Sequence, residues 1–331
     1  MTDISVIIPT LNDEATIEAC LDSVTNQTYP DEAYEVIIVD GGSTDGTLRI
    51  AELFDCEIVF ENQGTISYAR EYGVSLASSK YIAFTDADCV VPTDWLEKLV
   101  SKLQSCGDVA GVGGPNVTPT DDTAFAKAVG NFFKVFSQVG ARYGFTSDSV
   151  VEVSHNPTCN VIYKKSVLKE VGGFNEQLVT VDDEEMDYRI TEQGYRLLFR
   201  PDIAVDHYRR PTWKRFARMA YNYGYGRGQA VRLHLDLGKW FHVAPTIALL
   251  VLATVLVASI ITPLSIYAAP ALFSVGEAGI VMISIIMGLR TNQPSWKYIL
   301  LINIWMGTWA IAFPQGLLDS PERVSEKLNA D

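Results

Sequence analysis

Two carboxylates separated by one small residue close the segment Tyr81–Cys89, YIAFTDADC. Residues two apart in an extended chain project to the same side, so Asp86 and Asp88 are expected to converge on one small volume. Two like charges held together are costly unless a cation shares the space. Hard oxygen ligands suit Mg2+ or Mn2+, which are held by one or two carboxylates together with substrate phosphates. A solvated turn is the competing reading; the apolar run before the pair favours the ion.

Two further acidic clusters need a task. In EVIIVDGGSTDGT, Asp40 ends an apolar run beside two glycines, a place from which a carboxylate can accept N–H bonds from a base. Asp45 reads as a helix N-cap, a structural role. In VDDEEMDYRITEQGYRLLF, helical spacing puts Asp183, Met186 and Ile190 on one side. Asp182 or Asp183 then reaches a pocket edge while Met186 packs inside. An acidic first turn, favoured by the helix dipole, explains the same residues without chemistry.

Positioning such groups takes a sheet. Apolar runs at Ile4–Ile8, Glu35–Val39, Glu57–Phe60 and Tyr81–Phe84 alternate with helical stretches carrying Ile17, Leu21 and Val24, following Asp45, and running through Tyr68–Ala77. This alternation predicts an α/β fold with a mostly parallel sheet and helices on both faces. Ligands of such sheets bind beyond the carboxyl ends of the strands, where Asp40, Asp86 and Asp88 fall.

Together the motifs resemble the family 2 glycosyltransferases, whose nucleotide-sugar-binding fold is called GT-A. The likeness runs from SVIIPTLND through VIIVDGGSTDGT, SYAREYG, YIAFTDADC and VGGFNE to DDEEMDYRITEQGYRLLF. It implies that Asp40 holds the nucleobase and Asp13 approaches the ribose, with Pro9 and Thr10 on the same nucleotide-binding segment. Arg70 matches a nucleotide-side contact, and Asp86 and Asp88 bind nucleotide and metal. Asp183, second of a pair with Asp182, is the implied catalytic base. His207 matches a histidine that serves some relatives as a metal ligand, and His155 lies where relatives line the acceptor pocket. Gly41 and Glu71 depart from the usual acid and asparagine, which loosens the nucleobase assignment. Trp95 and Trp213 read as packing or interface anchors.

The rest of the chain has another composition. Of 331 residues 48% are hydrophobic, yet the formal net charge is −14. Residues 1–200 carry 32 acidic and 14 basic side chains, whereas residues 201–331 carry 8 and 12. So acidic a head argues against nucleic acid as a partner and suits a high-salt cytoplasm, where dense charge keeps protein hydrated. The expected boundaries are a GT-A domain at 1–211, a basic amphipathic segment at 212–242, membrane spans within 243–318, and a polar tail at 319–331. The spans, at about 243–262, 266–289 and 298–318, have the roughly 20-residue length of a bilayer-crossing helix. Pro270 and Glu277 weaken the second.

Within 212–242, Trp213, Phe216, Ala217, Ala220 and Gly224 share one helical face, with Lys214, Arg215 and Arg218 around another. That pattern predicts a helix lying in the membrane interface, its bases toward anionic headgroups. The bases between Arg209 and Lys239, with Arg290 and Lys297, predict a multi-pass protein of the cell membrane with a cytoplasmic head. The segment MTDISVIIPT lacks the basic n-region of a signal peptide. Cys20, Cys56, Cys89, Cys106 and Cys159, odd in number and without CxxC spacing, read as small apolar residues rather than a disulfide set or zinc site.

The expected activity is inverting glycosyl transfer from a UDP- or GDP-sugar, with Mg2+ or Mn2+ on its diphosphate and Asp183 accepting a proton from the acceptor hydroxyl. Membrane attachment points to a lipid-linked acceptor, a polyprenyl- or dolichyl-phosphate glycan, in protein N-glycosylation or surface glycan assembly. A lipid phosphate arrives ionised and needs no base, so Asp183 favours glycan extension over a polyprenyl-phosphate sugar synthase. A processive polysaccharide synthase is the other enzymatic alternative, but Gln229-Ala-Val-Arg232 is followed by Leu233 instead of its tryptophan. A membrane-docked sugar-nucleotide sensor is the non-enzymatic one.

Overall fold

The computed structural model describes residues 2–61, 64–105, 107–137, 149–209, 212–261 and 267–319. In chain order the strands are β1 (Ile4–Thr10), β2 (Tyr34–Asp40), β3 (Glu57–Phe60), β4 (Tyr81–Phe84), β5 (Cys89–Val90), β6 (Val109–Gly113), β7 (Asn116–Val117), β8 (Val151–Val153), β9 (Val161–Lys164), β10 (Arg196–Phe199) and β11 (Val205–His207). The α-helices are α1 (Ile17–Thr25), α2 (Thr47–Ala51), α3 (Ile66–Leu76), α4 (Trp95–Gln104), α5 (Ala124–Ser137), α6 (Lys165–Glu170), α7 (Asp182–Glu192), α8 (Trp213–Leu233), α9 (Trp240–Ile261), α10 (Ala268–Thr291) and α11 (Ser295–Leu318). They fall into two compact units: the first includes Met1–Asp122 and Phe136–Arg209, the second Thr123–Val135 and Arg210–Asp319.

The first unit is built on an eight-stranded sheet of order β3-β2-β1-β4-β9-β6-β10-β8. β1 to β4 run parallel, as do β6 and β10; β9 opposes β4 and β6, and β8 opposes β10. Successive residues of β1 and β2 feed two cores. Ile4, Val6, Ile8, Val36 and Ile38 pack with Ile17, Leu21, Trp95 and Leu99 on one face. Ile7, Ile37 and Val39 pack with Val74, Met186 and Ile190 on the other. A strand buried on both faces has no polar side, so its sequence reads as a continuous apolar run. Each such side chain stabilises the fold by about 1.5–3 kcal/mol on burial.

Register brings three strands out at one edge. Thr10 lies opposite Asp40, Asp40 opposite Phe60, and Ile7 opposite Phe84. Residues 10–13, 40–43 and 85–88 therefore emerge together. A second sheet, β5-β11-β7, sets His207 opposite Cys89.

In the second unit, Trp240–Ala258, Ala268–Thr291 and Ser295–Leu318 are long and apolar enough to cross a membrane. Residues 262–266, where the first expected span ends and the second begins, lie outside the described residues. The features expected to weaken the second span are accommodated. Pro270 occupies the first turn of α10, where its missing N–H has no intrahelical partner to lose. Glu277 Oε2 accepts from Asn303 Nδ2 of α11 at 3.2 Å.

The helix expected in the membrane interface forms as α8, but protein rather than lipid covers much of its apolar face. Phe216 is buried with Ala128 and Phe132 of α5 and Leu301 of α11, and Trp213 stacks edge-on against Phe125, ring centroids 4.4 Å apart. Gly228 and Gly316 let α8 and α11 touch backbone to backbone: a Cβ on Gly228 would strike the Phe313 carbonyl, and one on Gly316 the Tyr225 carbonyl. Small residues allow the same close approach between membrane helices. Lys214, Arg215 and Arg218 remain exposed. Helix α5, expected within the 1–211 domain, clusters with this unit up to Val135.

Candidate active site

The residues expected on the nucleotide side are locked by a mutual web of loops. Asp40 is fully buried, and its Oδ2 accepts from the N–H groups of Gly42 and Ser43, both at 2.9 Å. Gly42 is at φ +94°, a conformation that side chains disfavour. The other oxygen, Oδ1, has no hydrogen-bond partner among the described residues. A buried carboxylate oxygen left unpaired is costly and invites a donor such as a nucleobase N–H. Asp13 Oδ2 accepts from the Leu11 N–H at 2.9 Å, and Asn12 Oδ1 accepts from the Thr44 N–H at 2.8 Å. The first folds the segment after β1, with Pro9 and Thr10 leading into it, on itself; the second binds it to the segment after β2. Asp45 is structural but is not the N-cap expected of it: Gly46 holds that position in α2, and Asp45, one residue earlier, accepts from the Thr47 N–H at 3.0 Å, while the Thr47 hydroxyl lowers its pKa.

The carboxylates of Asp86 and Asp88 do converge, by a different route from the one expected. β4 ends at Phe84, and Asp86 to Cys89 form a turn closed by Cys89 N–H donating to the Asp86 carbonyl at 3.0 Å. The turn, not the pleat of a strand, folds the two side chains together. Carboxylate oxygens of both, Cys89 Sγ and a His207 nitrogen lie within 4.8 Å of one another. Asp88 Oδ1 and His207 Nε2 are 3.2 Å apart, close to the edge between neighbouring ligands of an ion bound at about 2.1 Å. The donor set fits a divalent cation. Burial opposes charge on His207, but Asp88 outweighs it and the pKa rises to about 9. Arg209 Nη1, 3.2 Å from His207 Nδ1, donates to that nitrogen and leaves Nε2 facing Asp88.

Arg70 ties this group to the acidic start of α7. Its Nη1 donates to Asp182 Oδ2 at 2.7 Å and its Nη2 to Asp86 Oδ1 at 3.5 Å. Burial raises the Asp182 pKa while Arg70 pulls it down. Val181, β-branched yet at φ +69°, caps α7 in a left-handed conformation that costs on the order of 1–3 kcal/mol and sets the acids at the helix start. Glu71, the departure beside Arg70, accepts from the Phe174 N–H at 2.8 Å and so anchors the Gly172–Gly173 turn.

Asp183 stands apart from its neighbour. About 21% of its side chain is exposed, and Oδ2 lies 3.6 Å from His155 Nε2 and 3.5 Å from the Thr158 hydroxyl. His155 Nδ1 meets Asp187 Oδ2 at 2.9 Å. Asp187, fully buried, also accepts from the Asn156 N–H and the Tyr163 hydroxyl, both at 2.8 Å. Sequence reasoning missed Asp187, which reads as one more charge on an acidic helix, and it missed that His155 bridges the two aspartates. It also missed that Cys89 and Cys159 flank His207, since neither spacing nor motif connects them. Trp95 is a core anchor, its indole N–H donating to Asn160 Oδ1 at 2.9 Å.

The sheet edge thus gathers a buried unpaired carboxylate oxygen, a donor set that fits a divalent cation and a carboxylate backed by histidine, a grouping of perturbed polar side chains typical of an enzyme active site. Residues 5–172 match the model of glycosyl transferase family 2, and the chain belongs to that family. Glycosyltransferase AglE of Haloferax volcanii is 34% identical over 215 residues, 63% of this chain and 67% of that one. The dolichyl N-acetyl-alpha-D-glucosaminyl phosphate 3-beta-D-2,3-diacetamido-2,3-dideoxy-beta-D-glucuronosyltransferase of Methanococcus voltae is 28% identical over 252 residues, 70% and 75% of the two chains. Among solved structures, mannosyltransferase PcManGT of Pyrobaculum calidifontis, in complex with GDP-Man and Mn2+, aligns with TM-score 0.61 and 22% identity over 91% of this chain and 86% of that one. The fold is GT-A and the protein is a glycosyltransferase.

Proposed function

We propose that the enzyme moves a sugar, with inversion, from a UDP- or GDP-sugar to a hydroxyl of a polyprenyl- or dolichyl-phosphate-linked glycan at the cytoplasmic face of the membrane. The observation that carries this reading is the contrast between adjacent acids. Asp182 is buried against Arg70, whereas Asp183 is partly exposed and backed by His155. An open carboxylate beside a second proton acceptor is what a hydroxyl nucleophile needs. The printed name of the Methanococcus voltae relative, a transferase acting on a dolichyl-phosphate-linked sugar, supports the acceptor class. The three apolar helices support a membrane setting.

Asp40 Oδ1 receives a nucleobase N–H, and Asp13 faces the ribose. Asp86, Asp88 and His207 would hold a divalent cation, which when bound would neutralise charge on the departing diphosphate. Asp183 accepts the acceptor hydroxyl proton as that oxygen bonds to the anomeric carbon, opposite the breaking bond to the diphosphate. As a carboxylate Asp187 can only accept, so His155 carries its proton on Nδ1 and presents the Nε2 lone pair to Asp183. The captured proton can then pass from Asp183 to His155, restoring the base.

The test uses the full chain in detergent, a panel of radiolabelled UDP- and GDP-sugars, and lipid extracted from native membranes. Label should enter a lipid-soluble glycan, stop with chelator and resume with Mn2+ or Mg2+. Label confined to water-soluble products, or transfer undiminished by chelator, would overturn the reading. For sidedness, a cysteine replacing Asn292, between α10 and α11, should react only with reagent added to the cytoplasmic side.

A further inference from the structure

We propose that Cys89, Cys159 and His207 form a binding site for a thiophilic divalent cation, Zn2+ foremost, and that filling it disables the neighbouring Mg2+ or Mn2+ site. One ligand atom from each of the three lies within 4.8 Å of the others. Cys89 and Cys159 are 1% and 4% exposed, and the backbone holds them in place. Cys89 pairs with His207 across β5 and β11. The Cys159 carbonyl accepts from the Thr85 hydroxyl at 3.1 Å, and its Sγ accepts from Asn116 Nδ2 at 3.2 Å.

Two sulfurs and an imidazole nitrogen are zinc's preferred ligands, bound tetrahedrally at about 2.3 Å and 2.0 Å, which sets ligand separations of roughly 3.5–3.8 Å. The cluster closes onto such an ion with movements of about an ångström or less. Asp88 adjoins two members of the trio, its Oδ1 being 3.9 Å from Cys89 Sγ and 3.2 Å from His207 Nε2. Cys20, also buried, contrasts with this pair: its thiol donates to the Asp86 carbonyl at 3.5 Å.

Competition follows from shared ligands. Cys89 and His207 belong both to this trio and to the group with Asp86 and Asp88. Two divalent cations drawing on the same Cys89 sulfur and the same imidazole would stand within a few ångströms and repel one another, so the trio and the carboxylate site fill alternately. Thiolates discriminate against Mg2+, and Zn2+ binds nitrogen and sulfur ligands more tightly than Mn2+. Traces of Zn2+ should therefore inhibit an enzyme supplied with excess Mn2+. The binding claim stands on the trio alone; the inhibition claim rests on the proposed catalytic cation site.

The full chain, stripped with chelator under reductant, should bind a single equivalent of Co2+ with a thiolate-to-metal charge-transfer band that Zn2+ bleaches. This readout needs no variant. Cys159→Ser should abolish the band and weaken Zn2+ binding by about 100-fold or more, measured against a chromophoric chelator, while Mn2+ binding by paramagnetic resonance persists. Asp86→Asn should weaken Mn2+ binding and leave the cobalt band intact. A cobalt spectrum without sulfur character, or Zn2+ affinity unchanged in Cys159→Ser, would overturn the site. Loss of the cobalt band in Asp86→Asn would reduce the two sites to one. A cobalt band with no Zn2+ inhibition would keep the site and reject the proposed competition.

Discussion

His155 Nδ1 lies 2.9 Å from Asp187 Oδ2, so an exposed candidate base, Asp183, is backed by a histidine that is itself held by a buried carboxylate. A neutral imidazole has one donor and one acceptor nitrogen, and its partner decides which is which. Asp187 accepts from the Asn156 N–H and Tyr163 hydroxyl as well, so it offers His155 an acceptor and directs the Nε2 lone pair outward.

Asp187→Asn keeps the shape but can present N–H to Nδ1 and reverse the tautomer. Turnover should fall on the order of 100-fold, with donor affinity unchanged. Initial rates combined with donor binding check this. A lower melting temperature with normal turnover per folded molecule would leave Asp187 a purely structural residue.

Asp183→Asn separates the acceptor classes. With a hydroxyl acceptor, loss of the base should cost about 100- to 10,000-fold in rate, while Asp40, Asp86 and Asp88 still bind donor. Near-normal turnover would identify a phosphate acceptor, which arrives ionised. Loss of donor binding would move Asp183 to the nucleotide site.

Asp40→Asn probes the unpaired oxygen. A hydrogen bond to a charged group contributes about 1.5–3 kcal/mol, so donor affinity should fall on the order of 10- to 100-fold, with a smaller effect on rate at saturating donor. Calorimetric titration with UDP and GDP, in the presence of Mn2+, measures it.

Stability of the metal-free protein should depend on His207. Its folded pKa of about 9 lies above the ordinary histidine value of 6.5. The stabilisation is fully present below about pH 6.5 and is lost as pH rises through 9. Melting in chelator should therefore fall between these limits, and His207→Asn should flatten that part of the profile.

Gly316→Leu tests the contact between α8 and α11. A side chain there meets the Tyr225 backbone, which cannot yield as a flexible side chain would. Overpacking of this kind costs about 3 kcal/mol, and thermal aggregation of the detergent-solubilised chain should begin at a lower temperature. An unchanged midpoint would show that the two helices separate without penalty.

What the sequence determined by itself is what local pattern can encode. Apolar runs alternating with helical periodicity specify a parallel sheet with both faces buried, and hence an edge at which Asp40 and the Asp86–Asp88 pair emerge. Long stretches with few charges specify the three apolar helices, because length and hydropathy are properties of a segment alone. Tertiary structure decided the partners. Arg70 meets Asp182 across 112 positions, Asp187 finds His155 across 32, and His207 meets Cys89 because β5 and β11 pair, with Cys159 arriving from the segment before β9. Likewise, the apolar face of α8 announces that something must cover it, and only packing shows that α5 and α11 do so. Amphipathicity measures the need for an apolar neighbour and carries no information on which neighbour arrives. Side-chain geometry between distant segments is set by how the elements pack, and no single segment contains it.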